Sequence, residues 1–302
     1  MAIMTREIKR RIRSVTSTRK ITKAMELVAA AKMRRAVKAV LATRAYSHAA
    51  WQIVQELASL TDPASHQLLQ KRTTVRKVGV IMMTSNRGLC GGFNHEIIDM
   101  VAEYVRNYPK ENSQVDTEVL LMGKRGRDIM YKHGHEIVAE FDKVDVALRV
   151  TEVTPLAQMA IADYISGKYD KVVIAYTDYF SAMKQKPRIK RLLPISHEDD
   201  ELGSIGGAAH KKNNEKDHEY LFEPSTDIVL DQMLARLIEV QLYQALLESN
   251  ASEHSARMMA MRNASDAASD MISDLTLTFN QARQQMITSE LADISSGSAA
   301  VS

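Results

Sequence analysis

The residues whose types and spacing could support phosphate chemistry lie at positions 85–94, which read SNRGLCGGFN. Three glycines, an arginine and the single cysteine of the chain follow an apolar run and precede a predicted helix. A glycine-rich turn between a strand and a helix is the setting in which backbone amides and a helix N-terminus bind phosphates. The stretch therefore raises the question of whether this chain binds a nucleotide.

The spacing of these glycines does not match the known nucleotide-binding motifs. A Walker loop requires G-x-x-x-x-G-K-[ST], but Gly92 is followed by Phe93 and Asn94. A dinucleotide fingerprint requires G-x-G-x-x-G, whereas the glycines stand at positions 88, 91 and 92. We therefore expect all three glycines to permit a tight strand-to-helix turn with positive φ angles, and we expect no cofactor.

Cys90 and Arg87 belong to the same stretch. Cys90 could be a reactive thiol near Arg87 and a helix N-terminus, but we favour a small buried residue. Arg87 is expected at the surface. A single cysteine excludes an intramolecular disulfide, and the nine histidines show no paired ligand spacing, so we predict no metal site.

The elements that position this stretch are short apolar runs alternating with helical patterns. Runs typical of buried parallel strands begin at Val78, Glu118 and Lys171, and helical stretches are predicted near 94–107, 124–133 and 154–167. The alternating segment 187–195 predicts an edge strand. This pattern predicts the α/β class, with a doubly wound domain over residues 70–196.

The segment after this domain has a different composition. Residues 197–217 are charged, bear glycines and lack periodicity, which predicts a flexible surface loop. Residues 218–225 are expected to lead the chain back at the foot of the domain.

The ends of the chain, residues 1–60 and 226–300, predict two long helices. Each is free of Gly and Pro through nearly all its length. At 1.5 Å per residue they would span on the order of 80 and 100 Å, too long for one core. We therefore predict an antiparallel coiled coil. Its seam residues are Ile8, Ile12, Val15, Ile21, Met25 and Val28, with Met261, Ala264, Ala268, Ile272, Leu275, Phe279, Ala282 and Met286.

The net charge of +3 conceals a strong asymmetry between the two ends. Residues 1–44 hold 13 basic and 2 acidic residues, a net charge of +11, whereas residues 226–302 hold 4 basic and 10 acidic residues, a net charge of −6. Self-pairing or acidic partners would explain this. On charge alone, nucleic acid and an acidic protein surface are about equally good partners for the basic helix. No apolar run is long enough to span a bilayer and no signal sequence is evident, which favours a cytosolic protein.

The two terminal blocks resemble a known family. IKRRIRSVTSTRKITKAMELVAAAKMRRA and SARMMAMRNASDAASDMISDLTLTFNQARQQMITSELADISSG are together similar to the gamma subunit of bacterial rotary (F-type) ATP synthases. SNRGLCGGFN is similar to a third block of that family, and the resemblance extends through essentially the whole chain.

The resemblance implies a central rotor shaft. In that family the coiled coil lies inside a hexamer of alpha and beta subunits, and the α/β domain lies against the epsilon subunit and the c-ring. Catalysis occurs on the beta subunits, so the resemblance implies a non-catalytic subunit without a cofactor. It would couple c-ring rotation to the conformational cycle of the beta subunits during proton-driven ATP synthesis. It would be peripheral at the cytoplasmic face of the bacterial cell membrane, without membrane insertion or nucleic acid.

The resemblance also implies contact residues. Those implied to contact beta are Met25, Arg87, Cys90, Arg283, Gln284, Thr288 and Glu290, and those implied to contact the c-ring are Tyr220, Phe222 and Glu223. A nucleotide-dependent enzyme using residues 85–94 and a nucleic-acid-binding coiled coil remain the competing hypotheses. Calorimetry with nucleotides and the salt dependence of nucleic-acid binding would distinguish them from a rotor subunit.

Overall fold

The computed structural model describes residues 2–60, 66–111, 115–132, 137–146, 149–195 and 226–301. The α-helices in this part of the chain are α1 Ala2–Leu60, α2 Phe93–Glu111, α3 Lys124–Lys132, α4 Thr154–Ile165 and α5 Thr226–Val301. The strands are β1 Lys77–Met83, β2 Asp116–Met122, β3 Ile137–Phe141, β4 Lys171–Tyr179 and β5 Gln185–Leu193. The predicted loop at 197–217 and the return segment at 218–225 lie outside the described residues.

The chain divides into two compact units. Unit 1 comprises Met1–Ala29 and Arg257–Ser302, and unit 2 comprises Ala30–Ala256. Unit 1 thus brings the two ends of the sequence together, and unit 2 holds the sheet with the adjoining parts of α1 and α5.

Unit 2 is built on a five-stranded sheet with the order β3-β2-β1-β4-β5. The four strands β1 to β4 are parallel, and β5 pairs antiparallel with β4 at one edge. The α/β class, the parallel strands β1, β2 and β4 and the edge strand β5 agree with the prediction. Strand β3 lies at the other edge and was not predicted, because none of its five residues is fully buried and two of them, Val138 and Glu140, are exposed.

Both faces of the sheet are covered, so the prediction of a doubly wound domain is confirmed. Alternation along β1 directs Val80 toward α2 and α3 on one face and Ile81 toward the other face. On that second face lie α4 and the parts of α1 and α5 that belong to unit 2. Buried residues there include Leu156 of α4, Val40 of α1 and Leu242 of α5.

In unit 1 the predicted seam of α5 is correct. Met261 and Ala268 are buried, and the other predicted positions are half-buried: Ala264, Ile272, Leu275, Phe279, Ala282 and Met286. Almost all other side chains between 270 and 296 are exposed. The apolar contact along this part of the helix is therefore one narrow stripe, as in a coiled coil.

The predicted seam of α1 is wrong at two positions. Ile21 and Val28 are 60% and 56% exposed, whereas the neighbouring Thr22 and Ala29 are 8% and 2% exposed. Buried or half-buried positions recur every seven residues from Ile8 to Ala29, so a residue one place earlier points outward. Short side chains thus occupy the seam and allow the two segments of unit 1 to approach closely.

No helix among the described residues has an apolar stretch long enough to span a membrane.

Candidate functional site

The loop from Thr84 to Gly92 joins β1 to α2 at the carboxyl edge of the parallel strands. Its start is held by the Thr84 hydroxyl, which donates to the Gly123 carbonyl at 3.0 Å and accepts from the Gly126 amide at 3.0 Å. The Ser85 amide donates to Asn94 Oδ1 at 3.0 Å. Hydrogen bonds within the protein therefore satisfy both ends of the loop, and the predicted strand-to-helix turn is confirmed.

The expected positive φ angles occur at only one of the three glycines. Gly91 has a φ angle of 57°. The other residue of this loop with a positive φ angle is Leu89, at 63°. Gly88 and Gly92 do not have positive φ angles, and the ends of two flexible side chains lie close to them. A Cβ at Gly88 would lie 2.8 Å from an Arg125 nitrogen, and one at Gly92 would lie 2.8 Å from Glu96 Oε1.

The position of Glu96 bears on the phosphate question. Glu96 lies in the first turn of α2, and its carboxylate packs against Gly92 at the helix N-terminus. The partial positive charge of a helix N-terminus stabilises such an anion. The Glu96 carboxylate therefore adds negative charge at the helix end that a phosphate would approach.

Cys90 is buried, as predicted, with 1% of its surface exposed. The Asn94 amide nitrogen lies 3.2 Å from its Sγ, and the Ser85 hydroxyl lies 3.8 Å away. The thiol is thus part of the polar network inside the turn. Arg87 and Leu89 form the exposed surface of the loop, Leu89 with 62% of its area exposed.

A second loop, residues 142–146 after β3, lies beside the first. The Asn86 side-chain nitrogen donates to the Lys143 carbonyl at 2.5 Å. Lys32 of α1 reaches Asp145 of this loop at 2.6 Å, and its hydrogen bond lowers the pKa of Asp145, with weaker contributions from His254 and Arg87. The two loops are therefore joined to each other and to the long helices.

The remaining predicted contact residues fall in unit 1 or outside the described residues. Met25 is half-buried on α1. The four predicted contact residues of α5 are all exposed: Arg283, Gln284, Thr288 and Glu290. The Thr288 hydroxyl donates to the Gln284 carbonyl at 3.0 Å. Arg87 and Cys90 belong to unit 2. Tyr220, Phe222 and Glu223 lie outside the described residues.

The basic side chains of α1 remain largely at the surface. Seven of those within residues 1–29 are exposed: Arg6, Lys9, Arg10, Arg11, Arg13, Lys20 and Lys23. Lys23 bonds Glu26 of its own helix at 2.8 Å. The positive charge of this segment is thus available to an acidic partner.

Comparison with known proteins identifies the family. The family model described as ATP synthase matches residues 4–301. A relative described as an ATP synthase gamma chain, from Herpetosiphon aurantiacus, is 43% identical over 303 residues, covering 98% of each chain. The chain belongs to the ATP synthase gamma-chain family. Another member, from Roseiflexus castenholzii, is 41% identical over 298 residues, again covering 98% of each chain.

Solved structures share the fold of this gamma-chain family member. The cryo-EM structure of the Euglena gracilis mitochondrial ATP synthase, OSCP/F1/c-ring in rotational state 3, contains a chain that matches with a TM-score of 0.69. The match covers 100% of this chain and 95% of that one at 19% identity. A chain in the central stalk/c-ring structure of the Tetrahymena thermophila enzyme matches with a TM-score of 0.61, over 81% and 99% at 24% identity. The family assignment makes the chain a subunit of an ATP synthase complex with a rotary function.

One group of buried polar residues was missed by sequence reasoning. Lys143 of the second loop is 4% exposed, and its Nζ lies 2.8 Å from Glu253 Oε2 of α5. The two partners are 110 positions apart in the sequence, so no local sequence pattern predicts that they pair.

Proposed function

We propose that this chain is the central rotor shaft subunit of a proton-translocating ATP synthase. It couples rotation of the c-ring to the conformational cycle of the catalytic beta subunits, and it has no catalytic activity of its own. The family assignment supports this role, and the exposed residues of unit 1 provide the structural support for it.

The observation that carries the proposal is the narrow seam of unit 1. Only one stripe of each helix segment is used for internal packing, while large apolar side chains point outward, among them Leu27 at 61% and Leu291 at 62% exposure. Exposed apolar surface on this scale is typical of an interaction site. A surrounding sleeve of alpha and beta subunits would cover it and leave the pair of helices free to turn.

Charge and position support the individual contacts. The exposed cations of α1 suit an acidic collar on beta. We assign Met25, Arg283, Gln284, Thr288 and Glu290 to the same sleeve. At the β1–α2 loop, Arg87 and the neighbouring Leu89 would supply the surface contact, with Cys90 beneath them.

The remaining partners follow from the same proposal. The sheet-bearing unit would meet the epsilon subunit, and Tyr220, Phe222 and Glu223 would meet the c-ring. The subunit would lie peripherally at the cytoplasmic face of a bacterial cell membrane, without inserting into it. Glu96 in the first turn of α2 supports a role without bound nucleotide, because it adds negative charge where a phosphate would approach.

Reconstitution with partner subunits tests the proposal. The chain should co-purify with the alpha and beta subunits, and ATP hydrolysis should require beta and be absent from the chain alone. Arg283→Glu should lower the hydrolysis rate of the reconstituted complex, whereas Arg106→Glu, an exposed charge reversal on α2, should not. A chain that hydrolyses ATP alone, or that ignores alpha and beta, would contradict the proposal.

A further inference from the structure

Residues 248–255 of α5, which we call the polar belt, are buried around the whole circumference of the helix. They read ESNASEHS, and seven of the eight are polar or charged. None is more than 4% exposed. Polar residues are buried only where hydrogen bonds compensate the loss of water, so each must be bound to something specific.

One side of the polar belt is bonded to the loop 142–146. Lys143 Nζ donates to Ser249 Oγ at 3.1 Å as well as to Glu253. The Asn250 side chain donates to the Val144 carbonyl at 3.0 Å. His254 Nε2 lies 2.7 Å from the carbonyl oxygen of Asp145. Three successive residues of one loop are thus each bound to the helix.

Another side of the polar belt is bonded to β4 and to the turn that follows it. The Ser252 hydroxyl donates to the Thr177 carbonyl at 3.1 Å, and the Ser255 hydroxyl donates to the Ala182 carbonyl at 2.8 Å. The Tyr179 amide donates to Glu248 Oε2 at 3.4 Å. One end of the polar belt is therefore bound to β4 and the other end to the turn that follows it.

This arrangement restrains rotation of the helix about its own axis. Apolar contacts are non-directional, so a helix that packs by them alone can turn or slide at modest cost. Hydrogen bonds require defined distances and angles, and breaking one inside the protein leaves a buried polar group without a partner. Turning the polar belt would break bonds on two sides at once.

We propose that the polar belt is a torsional clamp, the contact through which torque passes between the sheet and α5, with the Lys143–Glu253 ion pair as its central bond. This inference rests on the proposed rotor function. Lys143 and Glu253 are positioning residues: they transmit rotation by holding α5, and they touch no substrate.

The test compares ATP-driven proton pumping with ATP hydrolysis in the complete membrane-bound complex. Lys143→Met and Glu253→Gln each remove one charge of the central pair. In both variants we expect a loss of most pumping while hydrolysis is retained, because the catalytic subunits still turn α5 while the sheet follows less well. Lys143→Arg, which keeps the charge, should restore pumping. The matched control is Glu140→Gln, which removes an exposed ion pair with Arg127 that joins α3 to β3 and does not reach α5.

A reversible cross-link separates transmission of torque from folding. Ser255→Cys with Ala182→Cys, added to Glu253→Gln, introduces a pair of cysteines where the Ser255 hydroxyl already bonds to the Ala182 carbonyl in the turn after β4. Oxidation should restore pumping per ATP hydrolysed, and reduction of the same sample should remove it again. A general loss of stability would not respond in this way.

The outcomes distinguish the clamp from the rotor function. If the unaltered complex couples pumping to hydrolysis and Glu253→Gln pumps with the same ratio, the clamp is wrong and the rotor function stands. A lost ratio that the cross-link does not restore also contradicts the clamp. If Lys143→Met fails to assemble, Glu253→Gln with and without the cross-link decides. If a complex that lacks this chain couples pumping to hydrolysis as well as the unaltered complex does, the rotor function itself is wrong.

Discussion

Two parts of the same helix, the polar belt at 248–255 and residues 271–296, use their surfaces in opposite ways. The polar belt is buried on all sides and its polar groups bond to a loop and a strand. Residues 271–296 bury only one stripe, and side chains such as Met271 and Leu277 remain 52% and 61% exposed. A helix can thus be gripped along one part of its length and left with an open surface along another.

This difference indicates which part of such a subunit benefits from specific hydrogen bonds and which does not. A segment that turns inside a sleeve is best served by apolar and weakly bonded surfaces, since a deep energy minimum would stall it. A segment that must not slip is best served by buried, directional bonds. The two parts of α5 match these two requirements.

The largest expected effect comes from removing the central ion pair of the polar belt. Lys143→Met removes the cation that lies 2.8 Å from the buried Glu253 carboxylate, which should cost about 3–5 kcal/mol in the free energy of unfolding. Urea denaturation of the purified chain measures it. Arg127→Met, which breaks an exposed ion pair, is the control and should change the stability little. If Lys143→Met and Arg127→Met lowered the free energy of unfolding equally, the ion pair of the polar belt would be no more important for stability than one at the surface.

A pH dependence is the second way to probe the polar belt. Burial and the nearby Asp178 carboxylate raise the pKa of Glu248 from 4.5 to about 7, against the opposing effects of Gln244, Arg44 and the Tyr179 amide. Because the folded state holds this proton more tightly than the unfolded state, its stabilising effect is complete below pH 4.5 and is lost as the pH rises to about 7. The loss is on the order of 3 kcal/mol.

Glu248→Gln should remove this component of the pH profile. The variant should be more stable than the unaltered chain at pH 8 and should show a flatter profile of unfolding free energy between pH 4.5 and 7. Urea denaturation at several pH values measures both. Parallel profiles for the two chains would show that Glu248 titrates normally.

A smaller effect is expected in the seam of unit 1. Ala29 is 2% exposed, and Ala29→Leu would force the two segments apart, at a cost of about 1–3 kcal/mol. The control is Val28→Leu on the neighbouring outward position, which should be nearly neutral. Thermal unfolding followed by circular dichroism measures the effect of both substitutions. If Val28→Leu destabilised the chain more than Ala29→Leu, the seam predicted from the sequence would be correct.

The smallest effect is expected on the outer surface of α5. Leu291 is 62% exposed, so Leu291→Ser should change the stability of the free chain by less than about 0.5 kcal/mol. The same substitution should weaken association with the alpha and beta subunits, measured by titration of labelled chain. A large loss of stability in the free chain would mean that this surface packs within the protein.

The elements that could be predicted are those with a local signal. Apolar runs identified β1, β2 and β4, and the three- and four-residue spacing identified the seam of α5. The seam of α1 was misassigned at Ile21 and Val28, because large apolar side chains there point outward while Thr22 and Ala29 occupy the interface. Hydrophobicity alone cannot distinguish an apolar residue that packs internally from one that faces a partner.

The polar belt could not be predicted, for a related reason. The letters ESNASEHS resemble a solvated helix, and their burial depends on Lys143, Thr177 and Ala182, which lie 73 to 110 positions away. In the β1–α2 loop, the burial of Cys90 and the turn itself were predicted. The positive φ angle at Leu89, and its absence at Gly88 and Gly92, were not predicted, because the expectation rested on residue type alone.

Rotation of a single complex tests the central claim most directly. With the catalytic subunits fixed to a surface and a probe attached at Val138, an exposed position on β3, addition of ATP should turn the probe steadily in one direction. A probe that stays at a fixed angle while the same complexes hydrolyse ATP would contradict the assignment of this chain as the rotor shaft.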